Sequence, residues 1–200
     1  LNNSTSEKFG FNKDNFLTMF IPNTYQMFWT TTPEKFVSRM KNEYDDFWTA
    51  ERESKIKLHN LDKNQAYIVA SIVEKESNYD PEKSTIAGVY INRLNSGEKL
   101  QADPTVVFAM GDFNIQRVLY SHLETDSPYN TYKYAGLPPG AICMPRKKSI
   151  DAVLNFEAHE YLYFCANPDM SGYSLFSKSY EDQMRVAAQY RKKLNALNIH

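Results

Sequence analysis

The chain has 200 residues, 42% of them hydrophobic, and is therefore long enough to bury a substantial core. Its 14 Tyr, 12 Phe and 2 Trp supply more apolar surface than disordered chains carry, and its formal net charge of −1 lacks the basic excess of a general nucleic-acid binder. No apolar run approaches the roughly 20 residues of a membrane span. Because the chain begins at Leu1 rather than Met, we expect it to be processed or trimmed, with any signal peptide or anchor removed.

The N-terminal part of the chain combines aromatic and charged stretches. Residues 1–12 are polar and are expected to be loose at the terminus. The segment 16–29 is rich in aromatic and β-favouring residues, which predicts a hairpin or two short strands. Thr32 followed by Pro33 predicts the start of a helix, and the charged stretch 51–57 predicts a solvated helix end or a linker.

The middle of the chain contains several helix-start signals. Asp62, with Gln65 three residues later, resembles a capping box. Asp80 and Asp103 each precede a proline, which is the pattern of an N-cap followed by Pro at the first helical position. Gly97 supplies a stop signal for the helix that follows Asp80. The predicted helices span about 63–78, 81–95, 149–156 and 179–197, and a further short helix follows the Asp103 cap and ends at about residue 110.

Between these helices the sequence predicts a long loop and a small sheet. Residues 111–145 are rich in Gly, Pro, Asn, Asp and Ser, and a loop of this length inside a domain is usually functional. The segments 161–166 and 173–177 predict two strands joined by a turn. The predicted fold class is therefore α+β, with helices dominating the middle of the chain.

The cysteines and histidines indicate no familiar metal or nucleophile chemistry. The two cysteines, Cys143 and Cys165, are too few for a scaffold held by several disulfides. One bridge between them in an oxidising compartment, or two unpaired apolar side chains near strand ends, are both open at this point. There is no His-x-x-x-His, Cys-x-x-Cys, Walker or Gly-x-Ser-x-Gly motif, so we expect no metal and no other cofactor. The histidines are scattered at His59, His122, His159 and His200.

One carboxylate stands out in the helix predicted to begin after Asp62. Glu76 falls on the same helical face as Val69 and Ile72, near the helix end. A carboxyl group on an apolar face loses hydration, which raises its pKa and suits a general acid working near neutral pH. Glu74 lies about 200° away around the helix, so the two carboxylates do not share a site. The alternative is that Glu76 lies at a frayed helix end or pairs with a cation such as Arg93.

The residues around Glu76 carry a family resemblance. Glu-Ser-Asn-Tyr-Asp-Pro (76–81) is similar to the Glu-Ser…aromatic…Asp/Asn-Pro signature of lysozyme-like lytic transglycosylases. Five collinear segments resemble, in their order, the YceG-like endolytic murein transglycosylases (MltG family), and Phe-Ile-Pro-Asn-Thr-Tyr (20–25) resembles a segment upstream of their catalytic region. The five are SIVEKES (71–77), INRL (91–94), LQADPTV (100–106), YNTY (129–132) and GLPPGAI (136–142).

The resemblance implies a fold and a reaction. It implies a lysozyme-like helical catalytic core with a small β portion, occupying residues 61–200, and a strand-helix portion, 1–60, as a remnant of an upstream LysM-like subdomain and linker. The implied reaction is cleavage of the β-1,4 bond between N-acetylmuramic acid and N-acetylglucosamine within peptidoglycan strands, with formation of 1,6-anhydro ends. Glu76 is implied to be both acid and base, without the second carboxylate that most glycoside hydrolases use.

Further residues are expected to bind the glycan. The amide of Gln101 can bond sugar hydroxyls or acetamides, and the loop 129–132 offers hydroxyls, an amide and aromatic faces. Simpler alternatives are a turn for this loop, a helix cap for Ser77 and an N-cap for Asp103, which is otherwise the one rival for a second carboxylate. The expected substrate-binding residues are Ser77, Gln101, Asp103, Tyr129, Asn130, Thr131 and Tyr132.

Two other functions fit the same residues. One is a muramidase that hydrolyses the same bond with Glu76 and Asp103, and the other is a non-catalytic glycan-binding domain of the cell envelope. The resemblance implies a domain on the extracytoplasmic or periplasmic side of the cytoplasmic membrane, held by an N-terminal anchor that this chain lacks. It also implies action on nascent glycan strands during cell-wall assembly, together with cell-wall synthases and without a nucleic-acid partner.

Overall fold

The computed structural model describes residues 3–115 and 117–196. Within these ranges the chain is mostly helical and carries a small two-stranded antiparallel sheet. Single 3₁₀ turns span Phe16–Met19 and Asp80–Glu82. The helices and strands are α1 (Asn3–Lys8), α2 (Pro33–Phe47), α3 (Ala50–Leu58), α4 (Lys63–Glu76), α5 (Lys83–Ser96), α6 (Asp103–Met110), α7 (Tyr120–Leu123), α8 (Lys147–Leu154), β1 (Tyr163–Ala166), β2 (Ser174–Ser177) and α9 (Tyr180–Ala196).

Helix α4 lies at the centre of the fold. Every residue from 66 to 73 is buried, because α3, α5, α6 and α8 pack around the helix. The predicted capping box is confirmed: the Asp62 carboxylate accepts from the Gln65 backbone N–H at 2.8 Å, and the Gln65 side chain accepts from the Asp62 backbone N–H at 2.9 Å. The helix ends at Glu76, two residues earlier than predicted.

The predicted strands and the last helix are confirmed. β1 pairs with β2 in antiparallel register, with Phe164 opposite Phe176. Helix α9 follows directly and packs against both strands, and its Gln183 side chain donates to the Phe164 carbonyl at 3.0 Å. Residue 197 of the predicted final helix, like His200, lies outside the described residues.

The segment 16–29 is not the hairpin that the sequence predicts. Phe16 and Met19 lie three apart on one 3₁₀ turn and are both buried, a spacing that a strand would place on opposite faces. The chain then continues to residue 28 without regular secondary structure, and Phe28 and Trp29 lie exposed at its end. The expectation of a loose terminus is also wrong for residues 3–8, which form α1.

The charged stretch after Trp48 is a helix rather than a linker. Thr49 occupies the N-cap of α3 and its hydroxyl accepts from the Arg52 backbone N–H at 3.4 Å, while Ile56 is buried against the rest of the chain. Buried apolar residues on both sides of residue 60 belong to one core. The division into portions 1–60 and 61–200 stays a prediction.

A buried lysine connects the end of α4 to α8. Lys83 is fully buried, and its ammonium lies 3.2 Å from carboxylate oxygens of Glu74 and Asp80 and 3.0 Å from the Ser149 hydroxyl. The predicted N-cap role of Asp80 is therefore wrong, because its carboxylate pairs with cations and α5 begins only at Lys83. The predicted end of α5 at Gly97 is confirmed by the left-handed φ of 73° at that residue.

Two further expectations can be compared with the described residues. Cys143 and Cys165 are both free thiols, so no disulfide joins them. Across residues 3–115 and 117–196, none of the helices combines the length and the apolar character that a membrane crossing requires.

We predict that Lys83→Met lowers the free energy of unfolding by about 3 kcal/mol, because it removes the fully buried cation that Glu74 and Asp80 share and leaves these carboxylates only more exposed cations. Urea denaturation would measure the change. Lys75→Met, at an exposed position of α4, is the matched control and should change stability by less than about 0.5 kcal/mol. Equal stability losses in the two variants would contradict a structural role for the buried ammonium.

Candidate active site

A cleft of about 690 Å³ lies between the end of α4, the start of α6 and the β1–β2 hairpin. A larger hollow of about 1060 Å³ lies near the N-terminal aromatic segment, but its lining contains no carboxylate and so offers no acid for chemistry. The cleft is lined by Glu76, Ser77, Asn78, Tyr79, Glu82, Val89, Tyr90, Arg93, Leu100, Gln101, Asp103, Tyr132, Leu162, Tyr163, Phe164, Cys165, Ala166, Gly172, Tyr173, Ser174, Tyr180 and Gln183.

Glu76 occupies the cleft as the last residue of α4. Its Oε1 accepts a hydrogen bond of 2.5 Å from the phenol of Tyr90, which projects from the middle of α5. Tyr90 is almost fully buried, and this burial, followed by the charge of Glu76, raises its pKa well above 10. The phenol therefore stays protonated and acts as a permanent donor to the Glu76 carboxyl.

The environment of Glu76 brings its pKa close to neutrality. Burial raises the pKa of Glu76, the Tyr90 hydrogen bond lowers it and the nearby Asp103 charge raises it, and together these effects bring the pKa to about 7. Glu76 does not pair with Arg93, whose guanidinium contacts Gln101 and Glu98 instead. A carboxyl group with this pKa is present in both protonation states near pH 7, so it can donate a proton and accept one.

Glu74, two residues earlier, has a lowered pKa where Glu76 has a raised one. Burial acts to raise the pKa of Glu74, but hydrogen bonds from Ser149, Arg146 and Lys83 hold it below its usual value. Its carboxylate contacts the Lys83 ammonium at 3.2 Å and Nε of Arg146 at 2.7 Å. The prediction that the two glutamates occupy different sites is confirmed.

Asp103 also lines the cleft, but not as a helix cap. Ala102 occupies the N-cap position of α6, and Asp103 is the first helical residue. The Asp103 carboxylate instead accepts from the Tyr132 hydroxyl at 2.6 Å. The predicted N-cap role is therefore wrong, and the structure brings Asp103 and Tyr132 together at one wall of the cleft.

Gln101 and Ser77, which both follow Glu76 in the sequence, also line the cleft. The side-chain oxygen of Gln101 accepts from Nη2 of Arg93 at 2.8 Å, and Gln101 has a left-handed φ of 52°. The Ser77 hydroxyl accepts from the Tyr79 backbone N–H at 3.0 Å, which stabilises the turn after α4. Both side chains reach the cleft surface.

The other loop residues expected at the glycan lie away from the cleft. Asn130 is buried and its amide donates to two backbone carbonyls of the preceding turn, each at 2.8 Å. The buried Thr131 hydroxyl accepts from the Ala102 backbone N–H at 3.0 Å, and the Tyr129 ring packs on Phe108 with centroids 4.8 Å apart. Their contacts position the loop against α6, which agrees with the alternative that this part of the loop is a turn rather than a glycan-binding surface.

Several cleft residues were not identified from the sequence. Tyr90 lies 14 residues after Glu76, and its one available signal is that a phenol within a buried helix needs a partner. At the far end of the cleft, the Tyr79 and Tyr173 rings meet edge to face at 5.0 Å, and the Glu82 carboxylate accepts from the Ser174 backbone N–H at 2.7 Å. These contacts connect the β-hairpin to the turn before α5.

The described ranges, 3–115 and 117–196, contain no group of three or more His, Cys, Asp or Glu side chains placed to hold a metal ion. The polar side chains that line the cleft offer carboxyl, phenol, amide, hydroxyl, guanidinium and thiol groups.

The fold and the cleft place this chain in a known family. The YceG-like family matches residues 2–189, so the chain belongs to the YceG-like family, and the resemblance seen in the motifs is confirmed. The chain is 35% identical to the endolytic murein transglycosylase of Bacillus subtilis (strain 168) over 162 residues, which cover 80% of this chain and 43% of that protein.

A second relative and a solved structure agree with this placement. The endolytic murein transglycosylase of Streptococcus pneumoniae serotype 2 (strain D39) is 35% identical over 179 residues, covering 87% of this chain and 32% of that protein. A crystal structure of a putative YceG-like protein from Listeria monocytogenes superposes with a TM-score of 0.72 at 34% identity, covering 84% of this chain and 54% of that one. The chain thus spans less than half the length of the two transglycosylases.

We predict that Tyr90→Phe raises the pKa of Glu76, because the phenol hydrogen bond that this change removes stabilises the ionised carboxyl. In an NMR titration of the glutamate side-chain carbons, the Glu76 midpoint should move upward from about pH 7 by about one pH unit. Tyr120→Phe, at an exposed position of α7, is the control and should leave the midpoint in place. A downward movement in Tyr90→Phe would show that the phenol does not act as a donor.

Proposed function

We propose that this chain is the catalytic part of an endolytic peptidoglycan lytic transglycosylase. It would cleave the β-1,4 bond between N-acetylmuramic acid and N-acetylglucosamine and leave 1,6-anhydro-N-acetylmuramic acid ends. The observation that carries the proposal is the Glu76 carboxyl, which lines a cleft and has a pKa raised to about 7. Its relatives in Bacillus subtilis and Streptococcus pneumoniae, both endolytic murein transglycosylases, support the same class of reaction.

The reaction needs one acid that works twice. Protonated Glu76 gives its proton to the glycosidic oxygen, the C1–O bond breaks, and the electron pair leaves with the N-acetylglucosamine oxygen. The N-acetyl group or an oxocarbenium ion carries the positive charge on the muramic acid. The Glu76 carboxylate then takes the proton of the C6 hydroxyl while that oxygen bonds to C1, which closes the anhydro ring and restores the acid. Neither water nor a cofactor is consumed.

Tyr90 serves this cycle as a positioning residue. Its phenol holds Oε1 of Glu76 at 2.5 Å and leaves Oε2 as the oxygen that exchanges the proton with the sugar. The same hydrogen bond offsets part of the burial effect, so the pKa of Glu76 is about 7 rather than higher. A pKa near the working pH lets one group donate and accept at comparable rates.

The glycan would lie along the cleft. Ser77, Gln101, Asp103 and Tyr132 line it and would bind sugar hydroxyls and acetamides. Tyr129, Asn130 and Thr131 would act indirectly by holding the loop that carries Tyr132. In this proposal the helix ending in the acid, beside a small hairpin, is the lysozyme-like core.

The proposed setting is the cell envelope. Peptidoglycan strands would be the substrate, and cell-wall synthases would be partners that supply nascent glycan. In the longer protein, an N-terminal anchor would hold the domain on the outer side of the cytoplasmic membrane. The two curated relatives are at least twice as long as the part that this chain matches, which leaves room for such a segment.

We predict that Glu76→Gln lowers the rate of peptidoglycan digestion by about 10³-fold, because the amide cannot deliver a proton. Mass spectrometry of the products from purified glycan strands should show anhydro ends with the unmodified protein. Glu51→Gln is the matched control, since it makes the same replacement at an exposed position of α3. Digestion by Glu76→Gln at the unmodified rate would refute the role of Glu76, and no digestion by any variant would favour the glycan-binding alternative.

One observation favours the second candidate function, in which the chain is a muramidase that hydrolyses the same bond. Asp103 shares the cleft, and its charge raises the pKa of Glu76, so the two carboxylates are electrostatically linked. A muramidase would use Asp103 as its second carboxylate and would release reducing ends. The Tyr132 hydrogen bond instead gives this carboxylate a fixed partner within the protein.

We predict that Asp103→Asn reduces the digestion rate by less than about tenfold, because the charge is lost but an amide oxygen still accepts from the Tyr132 hydroxyl. The products should keep their anhydro ends. The pKa of Glu76 should fall, since a neighbouring negative charge is removed, and the alkaline limb of the pH–rate profile should move to lower pH. A loss of about 10³-fold together with reducing ends would replace the transglycosylase by the hydrolase.

A further inference from the structure

A buried guanidinium fixes the orientation of the Gln101 amide at the cleft. Arg93, in the last turn of α5, is 5% exposed. Its Nε, Nη1 and Nη2 donate in turn to the Lys99 carbonyl, the Leu162 carbonyl and the Gln101 side-chain oxygen, each at 2.8 Å. The guanidinium also lies over the Tyr163 ring, 5.1 Å from its centroid. Arg93 thus has no freedom to turn away from Gln101.

The chemistry of arginine decides which end of the amide faces the cleft. A guanidinium can only donate, so the Gln101 atom that it contacts must be the oxygen. The two N–H groups on Nε2 are left for the cleft, and no side chain or carbonyl in residues 3–115 and 117–196 accepts from them. Gln101 therefore turns its N–H donors toward the cleft, while its oxygen is engaged by Arg93.

The backbone around Gln101 is fixed as well. Its φ of 52° is left-handed, a conformation that non-glycine residues adopt at a cost of about 1 kcal/mol. The Gln101 N–H donates to the Thr131 carbonyl at 3.1 Å, so the buried loop and Arg93 hold the residue from two sides. The donor is presented at a fixed place rather than on a free side chain.

We propose that Arg93 is a positioning residue that makes Gln101 a one-sided donor for the acetamide carbonyl of an N-acetylated sugar. The proposal rests on the proposed function and specifies part of its substrate recognition. A neutral carbonyl fits better than an anionic acceptor, because Glu76 and Asp103 line the same cleft and would repel a carboxylate. It also fits better than a hydroxyl, because a carbonyl oxygen only accepts and has no proton of its own that needs a further acceptor in the cleft.

The arrangement predicts discrimination by N-acetylation. A sugar that has lost its acetyl group carries an ammonium, which has donors only and would meet the Gln101 donors without an acceptor between them. Gln101 should therefore shift the ratio of affinities toward N-acetylated glycan, against the attraction that the cleft carboxylates exert on an ammonium.

Binding to an inactive protein tests the proposal apart from catalysis. In a Glu76→Gln background, the N-acetylglucosamine tetramer and the glucosamine tetramer are titrated at pH 6 by NMR, with and without Gln101→Glu. This change keeps an oxygen for Arg93 and replaces the donor by an acceptor. Relative to the Glu76→Gln protein, we expect the additional Gln101→Glu change to weaken binding of the N-acetylglucosamine tetramer about tenfold and to tighten binding of the glucosamine tetramer. Gln26→Glu, exposed and outside the cleft, controls for the added charge and should leave the ratio of affinities unchanged.

Arg93→Lys tests the positioning role. Lysine cannot make the three directed contacts, so the ratio of affinities should fall toward one while the Gln101 side chain remains. Thermal unfolding monitors the fold of each variant, and Gln101→Glu decides the proposal even where Arg93→Lys lowers stability.

The outcomes separate this inference from the proposed function. Equal weakening of both tetramers, an unchanged ratio in Gln101→Glu, or binding of neither tetramer would each overturn the inference. Failure of the proposed function would appear elsewhere, in the products of peptidoglycan digestion by the protein with Glu76 intact.

Discussion

The site depends on one carboxyl group kept largely out of water with a single phenol as its hydrogen-bond partner. Burial disfavours the charged form of Glu76, and the Tyr90 hydrogen bond partly restores it, so that the pKa is about 7. Glu74 shows what happens without that balance. It belongs to the same helix, but the cations Lys83 and Arg146 contact it and hold its pKa below the usual value. Opposite faces of one helix end thus carry a structural anion and a chemically useful acid.

The face of α4 that carries Glu74 holds the helix end in place, and this positions Glu76 on the other face. Lys83 joins α4, the turn at Asp80 and α8 through a charge cluster that excludes alternative positions for the end of α4. Glu76 follows two residues after the anchored Glu74, so its place in the cleft is set by ionic contacts in which it takes no part. Because the pKa of Glu76 is raised in the folded chain, ionisation of this carboxyl lowers stability as the pH rises from its usual pKa to about 7.

The opposite wall of the cleft depends on buried polar contacts in the loop before α8. Asn130 and Thr131 use their side chains within the loop and against α6, and this arrangement leaves Tyr132 and Gln101 at the cleft. The sequence motif could not separate these roles, because an amide or hydroxyl suits a glycan and a buried turn equally well. Burial, which depends on how the loop packs, assigns Asn130 and Thr131 to the turn and leaves Tyr132 free to meet Asp103.

Local patterns in the sequence determined where most elements begin and end. The Asp62–Gln65 capping box, the left-handed Gly97 and the position of Glu76 at a helix end involve contacts three or four residues apart, which the sequence encodes directly. Tertiary packing alone decided that the segment 16–29 is no hairpin and that Tyr90 meets Glu76. The physical reason is that a strand depends on a partner strand, and the pKa of an acid depends on the residues that bury it. In both cases the residues are distant in the sequence and come together only when the helices pack.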